Sequence, residues 1–181
     1  MKVTQTKFKG CFVLEPKVFE DERGYFMEPF NQDRFNKSIG RTIHFVQDNQ
    51  SYSIKGVVRA LHYQIGKYSQ AKLVRVLQGR VLDVAVDLRK DSPTFGEHIS
   101  VELSSKNKKQ LFIPRGFAHG FSVLSNKAEF FYKCDNYYNK ESERGILFND
   151  PALGIDWKLS PNEIRLSVKD LNLPILRNAH L

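Results

Sequence analysis

The chain has 181 residues, of which 41% are hydrophobic and 27% are charged. These values are typical of one globular domain, which we place at residues 1–181. No stretch approaches the roughly 18 apolar residues of a membrane span, and none near Met1 resembles a secretory signal, so we expect a cytoplasmic protein without membrane contact. The net charge of +8 is scattered except at Lys106 to Lys109. Scattered charge argues against a nucleic-acid partner and is compatible with a small anionic ligand.

Short runs of β-branched and aromatic residues, broken by turn residues, dominate the chain and predict a mainly β fold. In chain order the predicted strands are Thr6 to Leu14, Ile43 to Tyr52, Gly56 to His62, Ala71 to Gln78, Val81 to Leu88, His98 to Leu103, Gln110 to Ile113, Gly120 to Leu124 and Phe130 to Cys134. Many short strands at regular spacing indicate a sandwich or a closed barrel, the class that includes jelly rolls.

Helix signals are few. Asn31 is placed to cap a helix that ends at Gly40, and Ser160 followed by Pro161 predicts a second helix start. The last residues, 169–181, form a tail that must dock on the domain if it is ordered.

Three local patterns refine this interpretation. The alternation over 81–88 predicts a half-buried strand, with one face formed by Leu82, Val84, Val86 and Leu88 and the other by Val81, Asp83, Ala85 and Asp87. Gln78-Gly79-Arg80 predicts a tight hairpin, and the polar segment around Lys106 to Lys109 predicts a hairpin tip. The two cysteines, Cys11 and Cys134, are too few and too widely spaced for a disulfide framework or a zinc site, so we predict free thiols.

Two segments each carry a histidine in a setting typical of the β-barrel enzymes called cupins. They read GVVRALHYQ (56–64) and IPRGFAHGF (113–121). The first resembles the cupin metal-binding motif at His62, but Gln64 stands where the second histidine ligand would be. No glutamate follows it before Gly79. The second segment resembles the Pro-x-Gly-x-x-His motif and ends its pattern at His119.

The ligand set decides between two chemistries for His62. A catalytic divalent metal usually needs three imidazole or carboxylate ligands, and these motifs offer two histidines at most. The sequence therefore predicts no metal. It leaves His62 free for proton transfer, which suits an imidazole near neutral pH.

Around these motifs the chain strongly resembles the dTDP-4-dehydrorhamnose 3,5-epimerases, nearly from end to end. The stretches that carry the resemblance are ERGYFMEPFNQDRF (22–35), FVQDNQSYS (45–53), KGVVRALHYQ (55–64), QAKLVRVLQGRVLDVAVDLRKDSPTFG (70–96), IPRGFAHGF (113–121), YKCDNYYNKESERGI (132–146), NDPALGIDW (149–157) and SVKD (167–170). The resemblance implies a cupin jelly roll with a few short helices, a homodimer, and catalysis without a cofactor or a metal. The implied reaction converts dTDP-4-dehydro-6-deoxy-D-glucose to dTDP-4-dehydro-L-rhamnose by epimerisation at C3 and C5, in dTDP-L-rhamnose biosynthesis.

The resemblance also implies residue roles. His62 matches the family's base, Asp170 its carboxylate partner, Lys72 the cation near the C4 oxygen and Tyr132 the acid. Further positions match substrate contacts, and these are Arg23, Glu28, Gln47, Asp48, Asn49, Arg59, His119, Tyr138, Glu143 and Lys169. Among them Arg23 and Arg59 match contacts to the diphosphate, and Tyr138 matches the residue that stacks on the base. The segment of Arg23 and Glu28 is expected to reach the site of a partner subunit.

One spacing and two departures qualify the resemblance. Arg59 lies three residues before His62, and a regular strand would direct the two side chains to opposite faces unless a bulge intervenes. Arg115 stands where family members commonly carry an acidic residue, and Ala60 replaces the usual glycine. Both departures bear on substrate detail more than on chemistry.

Three alternatives stay open on the sequence. The first is an enzyme of the same fold that epimerises only C3 or only C5, or that moves a ketone on a related dTDP-sugar. The second is a cupin that binds a sugar nucleotide without catalysis. The third is a metal-dependent oxygenase, against which Gln64 counts.

Overall fold

The computed structural model describes residues 1–181 and is built mainly of β-strands. The strands are β1 (Lys2–Gln5), β2 (Phe12–Glu15), β3 (Val18–Asp21), β4 (Gly24–Met27), β5 (Gln47–Ile54), β6 (Val58–Gln64), β7 (Lys72–Gln78), β8 (Arg80–Asp87), β9 (His98–Ser104), β10 (Gln110–Ile113), β11 (Phe117–Val123), β12 (Lys127–Cys134) and β13 (Glu143–Gly145). The helices are α1 (Gln32–Ile39) and the single turn α2 (Val168–Leu171). None of the helices has the length and the hydropathy that a membrane-spanning helix requires.

Two large antiparallel sheets face each other. One has six strands in the order β1-β2-β10-β7-β12-β5, and the other has five in the order β13-β6-β11-β8-β9. The hairpin β3-β4 forms a separate two-stranded sheet. This double-sheet arrangement confirms the predicted mainly β jelly roll with few short helices.

Two predicted turns are corners between the sheets rather than hairpins. β7 and β8 flank Gly79 but belong to different sheets. A Cβ at Gly79, whose φ is +81°, would lie 2.0 Å from the carbonyl oxygen of Lys127, so only glycine fits this corner. The segment around Lys106 to Lys109 likewise carries the chain from β9 in one sheet to β10 in the other. The hairpin predictions were wrong because turn residues show the same sequence pattern whether the chain returns to the same sheet or passes to the other one.

The predicted strand Thr6 to Leu14 is wrong as a single element. A turn separates β1 from β2, which pair with each other as neighbours. The Thr6 hydroxyl accepts a hydrogen bond from the backbone N–H of Phe8, and the N–H of Cys11 donates to the carbonyl oxygen of Phe8. These local bonds stabilise the turn in place of a continuous strand.

β8 is buried on both faces, not on one as its alternation predicted. Val81 and Ala85 pack between the two sheets, whereas Leu82 and Val84 pack in a second core on the other side of the five-stranded sheet. That second core is covered by the chain after residue 146. The alternation was correct in assigning the residues to faces, but the covering segment is distant in sequence.

The helix signals had different outcomes. The Asn31 side chain accepts a hydrogen bond from the N–H of Arg34, and Gly40 ends α1 in the left-handed conformation, as predicted. The second signal gives only one 3₁₀ turn, Pro161–Glu163. The tail docks: the Tyr63 hydroxyl donates to the carbonyl oxygen of His180 at 2.8 Å.

Candidate active site

An open cavity of about 630 Å³ has walls from both large sheets and from the segment that precedes α2. Ten of the residues predicted for the site line it, and these are Asn49, Arg59, His62, Lys72, His119, Tyr132, Tyr138, Glu143, Lys169 and Asp170. The fold therefore brings to one place side chains that are separated by more than a hundred positions in the chain.

A β-bulge allows Arg59 and His62 to face the same cavity. β6 pairs with β11, with His62 opposite His119 and Arg59 opposite Phe121. Between these pairs β6 has two residues where β11 has only Gly120, so the register shifts by one. A Cβ at Gly120 would lie 2.7 Å from the carbonyl oxygen of Arg59, so the bulge needs glycine there. The three-residue spacing of Arg59 and His62 would place them on opposite faces of a regular strand, and the bulge brings both side chains to the cavity.

His62 is held by a carboxylate from the docked tail. Its Nε2 lies 2.8 Å from Oδ1 of Asp170. The His62 side chain is 28% exposed, whereas that of Asp170 is 5% exposed. The Ser167 hydroxyl accepts a hydrogen bond from the N–H of Asp170 and caps α2, which fixes the direction of the carboxylate. Because Nε2 is engaged, Nδ1 is the ring nitrogen left for proton transfer.

A second histidine–carboxylate pair lies deeper. Nε2 of His119 is 2.9 Å from Oδ2 of Asp83, and their side chains are 7% and 0% exposed. The His119 ring stacks on Phe130. Burial raises the pKa of the Asp83 carboxyl, although His119 opposes the shift. The other carboxylate oxygen, Oδ1, is buried without a hydrogen-bond partner.

Lys72 and Tyr132 approach each other on neighbouring strands, with the Lys72 Nζ 5.8 Å from the centre of the tyrosine ring. Burial lowers the pKa of the Lys72 ammonium, while Cys134, Asp83 and Glu143 favour its charged form. Burial raises the pKa of the Tyr132 phenol to about 12. The phenol is therefore protonated at neutral pH and is able to act as an acid.

The cavity mouth carries an exposed tyrosine and an ion pair. The Tyr138 hydroxyl donates to Oε2 of Glu143 at 3.1 Å, and the same oxygen accepts from Nζ of Lys169. Burial alone would raise the pKa of Glu143, but the bonds from Lys169 and Tyr138 lower it. The carboxylate is thus ionised at neutral pH, and it holds two mouth residues together.

Two predicted contacts on β5 differ in orientation. Nε2 of Gln47 donates to Oδ1 of Asn49, which lines the cavity, and Oε1 of Gln47 accepts from the N–H of Tyr138. Asp48 lies on the other face of the strand, where it pairs with Lys133 at 2.8 Å. The Asp48 side chain therefore does not line the cavity of its own chain, and its assignment as a substrate contact stays a prediction.

Arg23 and Glu28 also lie outside this cavity. Arg23 is on the exposed β3-β4 hairpin and pairs with Asp21 at 2.6 Å, and Glu28 pairs with Arg34 at 3.0 Å. The sequence had assigned them to a partner's site, so one chain alone does not test the prediction.

Some lining residues were missed by the sequence analysis. Arg165 lines the cavity because residues 164–166 run parallel to the start of β6, through a bridge between Val57 and Arg165. A Cβ at Gly56 would lie 2.0 Å from the carbonyl oxygen of Glu163, so the close approach of the two segments requires glycine. No local pattern marks such a long-range neighbour.

Gln64, which stands where the cupin motif has its second histidine ligand, bonds to the protein backbone. The Gln64 amide bonds with backbone groups of Tyr68, Tyr137 and Asn139. The structure brings no three His, Cys, Asp or Glu side chains into a group that could hold a metal ion.

The two departures from the family pattern are accommodated locally. Arg115 Nε donates to Oδ2 of Asp135 at 2.8 Å, so its charge is paired outside the cavity. Ala60 is fully buried in the bulge, and its Cβ faces Gly120. Neither side chain lines the cavity.

Together these features define a class: a cupin-type jelly roll whose cavity presents an imidazole held by a carboxylate, a buried lysine and a protonated phenol. The family profile described as dTDP-4-dehydrorhamnose 3,5-epimerase matches residues 5–178. The chain belongs to the dTDP-4-dehydrorhamnose 3,5-epimerase family.

Individual members of the family are similar to this chain along nearly their whole length. The chain is 56% identical over 172 residues to the dTDP-4-dehydrorhamnose 3,5-epimerase of Shigella flexneri, covering 95% of this chain and 94% of that protein. The crystal structure of the enzyme of that name from Elizabethkingia anophelis is 56% identical, with a TM-score of 0.94 over 98% of this chain and 97% of that one. A Legionella pneumophila dTDP-6-deoxy-D-glucose-3,5-epimerase in complex with dTDP-4-keto-L-rhamnose is 50% identical, with a TM-score of 0.94 and coverage of 98% and 93%.

Proposed function

We propose that this chain is a dTDP-4-dehydrorhamnose 3,5-epimerase, which converts dTDP-4-dehydro-6-deoxy-D-glucose to dTDP-4-dehydro-L-rhamnose for dTDP-L-rhamnose biosynthesis. The observation that carries the proposal is the His62–Asp170 bond in a cavity that also holds Lys72 and Tyr132. These are the groups that removal and return of a proton next to a ketone require.

The C4 ketone of the substrate acidifies the hydrogens on C3 and C5, because the electrons left behind delocalise onto the ketone oxygen as an enolate. Nδ1 of His62 takes the proton, and Asp170 stabilises the imidazolium that results. A proton then returns to the opposite face of the same carbon. At each of C3 and C5 the substrate loses one proton and regains one, and no carbon is oxidised or reduced overall. We propose that no cofactor or metal takes part.

Lys72 and Tyr132 supply the other two functions that the reaction needs, which are stabilisation of the enolate oxygen and return of the proton. The Lys72 ammonium stabilises the negative charge that develops on the C4 oxygen, and its buried position strengthens this effect. The Tyr132 phenol donates the returning proton, which its raised pKa keeps available. The high pKa also makes tyrosinate a strong base that is reprotonated readily between turnovers.

The mouth of the cavity carries side chains that can bind the base and the diphosphate of the nucleotide. Tyr138 presents an exposed ring on which a base can stack. Arg59 offers a guanidinium to the diphosphate. The other proposed contacts are Gln47, Asn49, His119, Glu143 and Lys169, together with Arg165, which the sequence analysis did not include.

A homodimer is the second part of the proposal. The β3-β4 hairpin carries an exposed aromatic patch of Phe19 and Phe26, which pair across its two strands, and it exposes Tyr25 on its other face. Exposed aromatic side chains that lie together are typical of protein interfaces. Docking of this patch on a second copy would carry Arg23 and Glu28 to the partner's cavity. We propose that residues 1–181 act as one domain within each subunit. We also propose a cytoplasmic location, which suits the free buried thiols of Cys11 and Cys134.

Deuterium exchange tests the activity. The purified protein is incubated with dTDP-4-dehydro-6-deoxy-D-glucose in deuterated water, and label at C3 and C5 is followed by NMR. Label at both carbons, with formation of the L-rhamno product, is expected. Label at one carbon would instead select the single-site epimerase, and binding without label would select a non-catalytic sugar-nucleotide protein.

A further inference from the structure

Gln64 connects the strand of the catalytic base to the loop that carries Tyr138. It lies two residues after His62 on β6, so the two side chains project on the same side of the strand. It is buried, yet it borders the cavity. A buried primary amide needs partners for all of its polar hydrogens, and the identity of these partners indicates what it does.

All of those partners are backbone groups of two loops. Nε2 of Gln64 donates to the carbonyl oxygens of Tyr68, at 2.8 Å, and of Tyr137, at 3.3 Å. Oε1 accepts from the N–H of Asn139 at 2.6 Å. The amide therefore holds the backbone on both sides of Tyr138.

A second glutamine side chain, that of Gln47, binds the backbone of Tyr138 itself. Oε1 of Gln47 accepts from the N–H of Tyr138 at 3.0 Å. The three consecutive residues 137–139 thus each give a backbone group to a glutamine side chain. The loop has no regular secondary structure of its own. The two glutamines therefore fix its backbone around Tyr138, while Glu143 accepts a hydrogen bond from the hydroxyl at the far end of the ring.

We propose that Gln64 is a positioning residue that sets the affinity for the nucleotide by holding Tyr138 in place for stacking. The proposal rests on the proposed function, since it assumes a nucleotide-linked substrate. It gives a chemical reason for an amide at the position where a metal-binding cupin has a histidine. Only a side chain with two donors and an acceptor satisfies two carbonyl oxygens and one N–H at once.

Two variants test the role. Gln64→Met removes all three bonds, whereas Gln64→Glu keeps the shape but turns an oxygen toward two carbonyl oxygens. We expect both to raise the Kd for dTDP and the KM for the sugar nucleotide by about tenfold, because each loses hydrogen bonds that order the loop. The kcat at saturation and the deuterium label at both carbons should stay near wild type, because Gln64 touches none of the reacting atoms.

The measurements are calorimetric titration with dTDP, steady-state kinetics and thermal unfolding. Gln78→Met is the matched control, since Gln78 is exposed at the end of β7 and makes no side-chain hydrogen bond; its Kd should equal that of the wild type. A Kd within twofold of wild type in both Gln64 variants would overturn the proposal. So would a fall in kcat with KM unchanged, or a failure of both variants to fold, because the amide would then serve chemistry or stability instead.

Titration with dTDP keeps this test separate from that of the activity. It requires no turnover. A wild-type protein that binds dTDP but exchanges no deuterium would refute the proposed reaction and leave the role of Gln64 to be read from the Kd values.

Discussion

The cavity contains two histidine–carboxylate pairs that look alike and are placed differently. His62 and His119 are opposite each other on β6 and β11, and each gives Nε2 to an aspartate at 2.8 or 2.9 Å. The His62 ring is partly open to the cavity, and its carboxylate comes from the tail. The His119 ring is almost closed off, and Asp83 comes from the buried strand β8. A hydrogen bond to a carboxylate therefore does not define a base; access of the free nitrogen to the substrate does.

The largest expected effect comes from deleting the two rings in turn. His62→Ala should lower the rate of deuterium exchange at C3 and C5 by on the order of 10³-fold or more, because no other base replaces it. His119→Ala should lower kcat/KM by only about tenfold, the loss of one substrate contact. Exchange is measured by NMR over a range of substrate concentrations that gives both kcat and KM, and dTDP binding by calorimetry serves as the control for an intact cavity mouth. A larger loss in His119→Ala than in His62→Ala would reverse the two roles.

Replacing each carboxylate by its amide sharpens the contrast. Asp170→Asn should lower kcat by about 100-fold, since the imidazolium loses its counter-charge and the ring its orientation. Asp83→Asn should change kcat by less than about threefold, because a neutral amide can still accept from His119 in a site that already disfavours charge. Equal losses in the two variants would mean that both pairs take part in the proton transfer.

The sequence predicted the parts of this comparison that depend on neighbours in the chain. The bulge was anticipated as a condition for His62 and Arg59 to share a face, and the caps of α1 were read from Asn31 and Gly40. These features rest on local backbone chemistry, and residues a few positions apart contain the relevant information.

Long-range features came only from the family resemblance or were missed. Taken alone, Asp170 looks like a surface residue near the end of the chain, because the bond to His62 spans 108 positions. Asp83 was assigned to a strand face but not paired with His119, and Arg165 was not noticed. The turn at Gly79 was misread for the same reason: its identity depends on which sheet each flanking strand joins.

The effects of the two histidine variants on stability should be in the opposite order to their effects on activity. His119→Ala should lower the free energy of unfolding by about 2–3 kcal/mol, because it leaves Asp83 buried and unpaired. His62→Ala should cost less than about 1 kcal/mol, since water from the open cavity can reach Asp170. Urea unfolding followed by tryptophan fluorescence at Trp157 gives both values. A greater destabilisation by His62→Ala would show that the tail depends on that bond for docking.

The smallest expected effect is that of a chelator. If the two histidines were ligands of one metal, their Nε2 atoms would have to leave Asp170 and Asp83, and no third ligand stands ready beside them. Dialysis against EDTA should therefore leave the exchange rate at C3 and C5 unchanged, with wild-type protein dialysed against buffer as the control. Loss of exchange that Zn²⁺ or Mn²⁺ restored would mean that the rings turn to share a cation during turnover. The open and closed pairs would then be halves of one site, and the separate roles assigned to them here would fail.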